Sequence, residues 1–214
     1  RLLVELADGQ TVESVLLPRD GVCVSTQVGC AVGCLFCMTG RDGLLRQVGS
    51  AEIVAQVVLA RRRRPVKKVV FMGMGEPAHN LENVLEAIDL LGTEGAIGHK
   101  NLVFSTVGDR RVFERLPQGR VKPALALSLH TTDAELRARL LPQSPETGDM
   151  AVLFGLLFND ADDADWLGAL DEVTLDGIGA LWLWRGKHRT GAYFAIATGA
   201  IGSMLTLSTS ILTL

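Results

Sequence analysis

Of the 214 residues only four are cysteine, and none lies outside residues 23–37. Thiols confined to one short stretch make a poor disulfide framework, because such staples act by closing loops between distant segments. No secretory leader precedes them, so the chain reads as one of a reducing, cytoplasmic compartment and its cysteines as ligands or reactive thiols. The first residue is Arg1 rather than Met, and the expectation is a piece without its natural N-terminus. Charge of either sign is missing from Thr190 to Leu214, 25 residues in all, behind the basic cluster Arg185, Lys187 and Arg189. A run of that length could span a bilayer with the cluster at its cytoplasmic border, and the competing reading is a buried hydrophobic end.

Disorder of the whole chain is excluded by a 48% hydrophobic content, ample for a buried core. Charge divides unevenly: residues 1–142 hold 18 Lys+Arg against 15 Asp+Glu, and residues 143–214 hold 3 against 9. The two parts read as different kinds of sequence.

Residues 1–22 alternate apolar and polar around Asp8-Gly9 and predict a β-hairpin. Ser50 is placed to cap a helix through Arg64, with Ile53, Val54, Val57 and Val58 on it and Pro65 ending it. "VVF" then reads as a buried strand running into the turn Gly73–Pro77. Asn80 opens a helix whose apolar face is Leu81, Val84, Leu85, Ile88 and Leu91, with Gly92 expected to close it. "NLVFSTVG" and "PALALSLH" are further strands, "DRRVFERLP" a short helix, and Thr132 to Glu135 a capping box for a last one. Alternating strands and helices with short links call for parallel strands covered by helices. Chemistry on such folds gathers at the C-terminal ends of the strands. From about Ser144 this alternation fails.

Cys30, Cys34 and Cys37 form a C-x3-C-x2-C pattern, and Cys23 stands seven residues upstream on what reads as a strand. Three thiols so close can wrap one soft or borderline metal centre only from a loop, and Gly29 and Gly33 supply the looseness. Structural zinc and a wholly protein-held [4Fe-4S] cluster each want four ligands. Three leave one iron open to an outside molecule, and the spacing resembles the signature of radical S-adenosylmethionine (SAM) proteins, with Phe36 before the last cysteine. There the open iron chelates SAM, and one electron cleaves it to a 5′-deoxyadenosyl radical. A zinc loop made from three or four of the cysteines is the alternative. "GMGEP", Gly73 to Pro77, looks like the glycine-rich SAM loop.

"VESVLLP", "CVSTQVGCAVGCLFCMTG", "VVFMGMGEPAHNLENVLEAI", "STVGD" and "ALALSLHTTDAELRARLLP" together resemble the RlmN/Cfr-type radical SAM methyltransferases, over about residues 1–142. The resemblance implies an α/β fold, an incomplete radical SAM partial (β/α) TIM-type barrel in residues 23–142, after the hairpin of 1–22 and before a divergent segment, 143–214. It implies methylation of an adenine carbon, C2, in 23S rRNA and also in tRNA, by a monomer supplied with electrons by a donor such as flavodoxin. Cys30, Cys34 and Cys37 would hold a [4Fe-4S] cluster. Gly75, Glu76, Ser105, Ser128, Leu129 and His130 would contact SAM. Glu13 matches the family's proton acceptor, and Cys23 the cysteine that resolves a protein–RNA intermediate through a transient disulfide.

That mechanism needs one more cysteine near the C-terminus to carry the methyl group, and no cysteine follows Cys37 here. The expectation is therefore a chain that does not complete methyl transfer as it stands, or a non-catalytic iron-sulfur or zinc module. The run Arg61–Arg64 with Lys67 and Lys68 could contact RNA phosphates, or could simply be a solvated helix end that suits the helix dipole.

Overall fold

The computed structural model describes residues 1–131, 134–145, 179–185 and 192–198. Their elements, in chain order, are β1 (Leu2–Glu5), β2 (Thr11–Leu17), β3 (Gly21–Val24), β4 (Gln27–Gly29), β5 (Leu44–Gln47), α1 (Ser50–Arg61), β6 (Lys68–Phe71), α2 (Leu81–Thr93), β7 (Leu102–Thr106), α3 (Arg110–Arg115), β8 (Ala124–His130), α4 (Ala134–Leu140), β9 (Gly179–Arg185) and β10 (Ala192–Thr198). Gly9, at φ +82°, makes the turn that only a residue tolerant of left-handed backbone makes cheaply, and sets Val4 opposite Val12.

This hairpin continues into a larger sheet ordered β1-β2-β3-β6-β7-β8-β9-β10. Strands β3, β6, β7 and β8 run parallel, and the pairs at both ends are antiparallel. The result is the α/β partial barrel that the resemblance implies, with the four parallel strands that the alternation predicts. A separate two-stranded ribbon, β4 with β5, frames the cysteine loop; three- and four-residue strands are too short to leave a periodic signal.

Strand parity builds two faces. On one, Val22, Val24, Val69, Phe71, Leu102, Phe104, Leu125 and Leu127 meet Ile53 and Val57 of α1, Val84, Ile88 and Leu91 of α2, and Val112 of α3. Phe71 and Phe104 are wholly buried there, each contributing roughly 1.5–3 kcal/mol by leaving water. On the other face Val70, Val103, Ala124 and Ala126 pack with Leu17 and Met72.

Three helix ends differ from expectation in position or in bonding. Gly49, not Ser50, is the N-cap of α1, because its N–H is held by Glu52 Oε2 at 2.9 Å. Asn80 is the N-cap residue of α2, as expected, but its side chain makes no capping bond: its amide donates at 2.7 Å to both Thr26 O and Val48 O. Gly92 lies inside α2, which runs on to Thr93; a Cβ there would stand 2.7 Å from the methyls of Val121. The expected capping box of α4 involves residues 132 and 133, outside the described residues. Of the uncharged run from Thr190, Ala192–Thr198 is described, as β10. No helix among the described residues is long and apolar enough to cross a membrane.

Candidate active site

The same parity gathers the predicted residues. Antiparallel pairing sets Val15 opposite Cys23, so Glu13 and Cys23 share a face. Parallel pairing sets Cys23 beside Val70, Val70 beside Val103, and Ser105 beside Ala126. Glu13, Cys23, Ser105 and Ser128 therefore all belong to the face away from α1–α3, with Glu13, Ser105, Ser128 and His130 toward the C-terminal ends of the parallel strands. Ser105 Oγ and Ser128 Oγ lie 3.2 Å apart. Leu129 stands between Ser128 and His130 in the β8 backbone. His130 closes the strand with a left-handed φ of +66°, uncommon outside glycine, and its ring sits 4.9 Å from that of Phe36 in the cysteine loop. Burial, then the charge of Arg137, holds the His130 pKa below its ordinary value.

Glycines 73 and 75 let the loop after β6 lie against the segment that leads into the cysteines. Gly73 N donates to Val24 O at 3.0 Å, Met74 N to Ser25 Oγ at 2.8 Å, and Thr26 N and Gln27 N both donate to Met74 O. Gly75 has φ +95°, and a Cβ on it would stand 2.4 Å from Gln27 Cβ. The chain's own close approach thus requires this glycine. Glu76 follows, 5% exposed, its Oε1 accepting from Ala78 N and its Oε2 from Val107 N. Burial pushes its carboxyl up to about 7 against the Thr106 hydroxyl and those two N–H groups, which favour the ionised form.

The hairpin residues are tied to this loop. Glu13 N lies 3.3 Å from Met74 Sδ, and Ser25 Oγ donates to Glu13 O at 2.5 Å. The Glu13 carboxylate is partly exposed and pairs with Arg1 at 3.5 Å. Cys23 is half-buried on β3; burial raises its thiol to about 11, opposed by the Met72 backbone.

No helix or strand spans Cys30 to Cys37. Cys30 N donates to Gly43 O, Cys37 N to Cys34 O, and Leu35 N to Leu140 O, each at 3.0 Å. Cys30 and Cys34 pack with Val32, Val107, Leu140 and Leu141. Among the described residues no three His, Cys, Asp or Glu side chains already stand as a metal-binding group. The donor chemistry nonetheless fits a soft cation. Burial raises the Cys30 thiol, with smaller contributions from Glu76 and Cys37, and lifts Cys34 to about 11, with Cys30 and Cys37 adding to it. Cys30 and Cys34 resist ionisation chiefly through burial, and a bound cation would relieve both.

The basic run sits elsewhere. It ends α1 and precedes β6, at the N-terminal end of the parallel strands, where Arg61 donates to Gly95 O, Arg64 to Leu17 O and Gly21 O, and Lys67 pairs with Asp20. A cleft of about 380 Å³ between the starts of α2 and α3, lined by His79, Glu82, Arg111 and Arg115, includes none of the thiols. Sequence patterning missed Gln27, whose Oε1 accepts from Glu76 N at 2.8 Å, and Arg137, 2% exposed on α4. Polar residues inside a strand pattern or on a short helix read as solvated faces; a polar residue at a core position in either was the only signal.

Comparisons with known proteins match the chain to two family models. The family model described as the radical SAM superfamily matches residues 24–147, and one described as site-specific recombinase matches residues 100–214. Over their shared residues, β7 and β8 pair in parallel in the same sheet as β6 and its glycine loop. A probable RNA methyltransferase of Leptothrix cholodnii is 88% identical over 145 residues, 68% of this chain and 42% of that protein. One of Aromatoleum aromaticum is also 88% identical over 145 residues, 41% of its length. The chain thus spans about two fifths of the length of these curated relatives. The crystal structure of a radical SAM methyltransferase from Sphaerobacter thermophilus matches with a TM-score of 0.62 and 42% identity, over 65% of this chain and 44% of that one.

Proposed function

The chain belongs to the radical SAM superfamily through residues 24–147 and, through residues 100–214, to the family described as site-specific recombinase; from the first membership we propose that its described part is the cofactor-binding portion of a radical SAM RNA methyltransferase. The substrate in this reading is an adenine carbon, C2, of 23S rRNA, and of tRNA as well. The observation that carries it is the gathering of Ser105, Ser128, His130, Glu76 and the cysteine loop at one end of the sheet. The names of the relatives support the RNA substrate class.

Cys30, Cys34 and Cys37 would hold a [4Fe-4S] cluster, which when bound and reduced supplies the electron that cleaves SAM. Beyond its bonds to Ala78 N, Val107 N and the Thr106 hydroxyl, the Glu76 carboxylate keeps acceptor capacity for an ammonium group. With its carboxyl pushed up to about 7, it is only part ionised at neutral pH, and an arriving cation completes the ionisation. Ser105 and Ser128 share one hydrogen bond, so one hydroxyl of the pair remains free to donate to SAM, beside Leu129 and His130. Gly75 sets the loop's backbone path. Glu13, partly exposed on the site's face, would take the proton from the adenine ring. Cys23, its thiol raised to about 11, stays protonated at neutral pH and would resolve the covalent intermediate, against a methyl-carrying cysteine that residues 1–214 do not contain, only once a base relieves it. A low-potential donor such as flavodoxin, a monomeric state and a cytoplasmic location complete the reading.

Anaerobic reconstitution of the chain with iron and sulfide tests it. A brown protein whose absorption shifts on adding SAM, and which releases 5′-deoxyadenosine with dithionite, is the expected result; a colourless, zinc-loaded protein refutes it. The absence of any cysteine after Cys37 favours a second statement about residues 1–214 alone, that they bind the cofactors without completing methyl transfer. Methylated adenine in a single turnover of this chain would overturn that one.

A further inference from the structure

The cysteine loop has little structure of its own and is held by the segment after α4. Leu35 N donates to Leu140 O at 3.0 Å and Gln143 N to Val32 O at 3.2 Å, while Gly33 lies against Pro142, whose Cγ would be 3.7 Å from a Cβ there. Residues 140–145 therefore form a strap across the loop. The strap is anchored by Arg137. Its Nη1 donates to Ser144 Oγ at 2.6 Å and to Pro145 O at 2.5 Å, and its Nη2 to Val107 O at 2.6 Å. Val107 is also the residue whose N–H holds Glu76 Oε2. A single guanidinium thus joins the strap over the cysteines to the residue just after β7 and, through that one residue, to the buried carboxylate of the glycine loop. Arg137 is 2% exposed, so its charge is little screened by solvent. It and the Cys34 thiol act on each other electrostatically.

We propose that Arg137 is a positioning residue of the cysteine loop, fixing the strap that holds the loop and placing a buried positive charge beside the thiols that favours the more negative, reduced state of a cluster bound there. This rests on the cluster reading above. Two consequences separate. The planar fork sets the geometry of the strap, which a lysine cannot reproduce because it has no bidentate head. The charge sets the potential, as charges and hydrogen bonds around a cluster do.

The full chain and three variants, Arg137→Met, Arg137→Lys and Ser144→Ala, would be reconstituted anaerobically. Iron per chain and the midpoint potential of the loaded fraction, titrated with dithionite and read by the cluster's electron paramagnetic resonance signal, would be compared. Arg137→Met is expected to lose iron and to shift the potential of what remains downward. Arg137→Lys loses iron but keeps the potential near that of the parent, and Ser144→Ala loses a smaller share of iron with no shift. Loss of iron in Arg137→Met with an unmoved potential would reduce the residue to packing and overturn the proposal, as would an unchanged iron content. If Arg137→Met fails to fold, the other two variants decide: parent-like iron in both refutes the strap. A parent chain that takes up no cluster fails the functional reading instead.

Discussion

Gly75 offers the sharpest test of what the glycine-rich loop is for. Gly75→Ala puts a side chain on a residue at φ +95°, beyond the left-handed well that other residues visit, with its Cβ 2.4 Å from Gln27 Cβ and 2.8 Å from Gln27 N. The backbone strain costs roughly 1–3 kcal/mol. The overlap adds about 1–3 kcal/mol, because Gln27 is fully buried and its backbone, bonded to Met74 O, has nowhere to go. The expected loss is therefore about 2–6 kcal/mol, a large part of the roughly 5–15 kcal/mol that holds a typical domain. Gly9→Ala is the matched control: φ is +82°, yet nothing lies within 4 Å of its Cβ, so it carries strain without overlap. Its cost should be about 1–2 kcal/mol. For a chain of this size that is a drop in Tm of roughly 5 °C for Gly9→Ala against about 10 °C or more for Gly75→Ala. Thermal unfolding followed by circular dichroism without SAM reads both. Equal losses would refute the claim that Gln27 makes the glycine necessary, and would leave ligand approach as its only reason.

Glu76 makes stability depend on pH. Its folded-state pKa of about 7 lies above the ordinary 4.5, so between those values the folded chain binds the extra proton. Its contribution is present at and below about pH 4.5 and is lost as pH rises through 7, on the order of 3 kcal/mol at 1.36 kcal/mol per pH unit. Urea unfolding at pH 5.5 and 8 should show it, and Glu76→Gln should abolish that slope while losing about 1–2 kcal/mol, since the amide cannot accept from both Ala78 N and Val107 N. A slope that persists in the variant would show that other groups carry it. Gly92→Ala would stabilise an ordinary helix by about 1 kcal/mol, but against the Val121 methyls it should destabilise by about 1–2 kcal/mol, read as a lower Tm; a rise would refute the packing. Gln56→Leu removes the partners of Ser14 Oγ, Ser25 N and Ser25 O, all inside the fold. A loss of about 3–5 kcal/mol in denaturant is expected, and less than about 1 kcal/mol would mean that water replaces the amide.

The order of strands and helices was legible because "KVVF", "LVFST" and "ALALSLH" carry buried β-branched and apolar runs between amphipathic stretches. Helix ends were less so. Gly92 looks like a stop signal, and only Val121, 29 residues away in sequence, turns it into a packing residue. The site residues were legible as motif letters, but their meeting was not. Ser105 and Ser128 are 23 positions apart, and their 3.2 Å contact exists only because β7 and β8 pair with Ser105 beside Ala126. Gln27, Gln56 and Arg137 escaped because a polar letter says nothing about burial. What takes them inside is a set of backbone groups at distant positions that need partners.

Register, more than any loop, decides what this face can do. Side chains alternate along a strand, so a slip of one residue in β2 or β3 would send Glu13 or Cys23 to the helix side and bring Ser14 or Val22 out in its place. Two things oppose the slip. Val22 and Val24, both fully buried against the helices, would each forfeit roughly 1.5–3 kcal/mol. Gln56 is more selective, because it bonds both strands at once, accepting from Ser14 Oγ of β2 and from Ser25 N just beyond β3, and donating to Ser25 O. No one-residue shift of either strand satisfies all three bonds. Gln56 sits on α1, the helix that follows the cysteine loop, and Glu52 on the same helix holds Arg46 of the ribbon framing that loop at 2.9 Å. One helix therefore fixes the hairpin that carries Glu13, the strand that carries Cys23, and the frame of the three loop thiols, which is why residues so far apart in sequence can be aimed at one place.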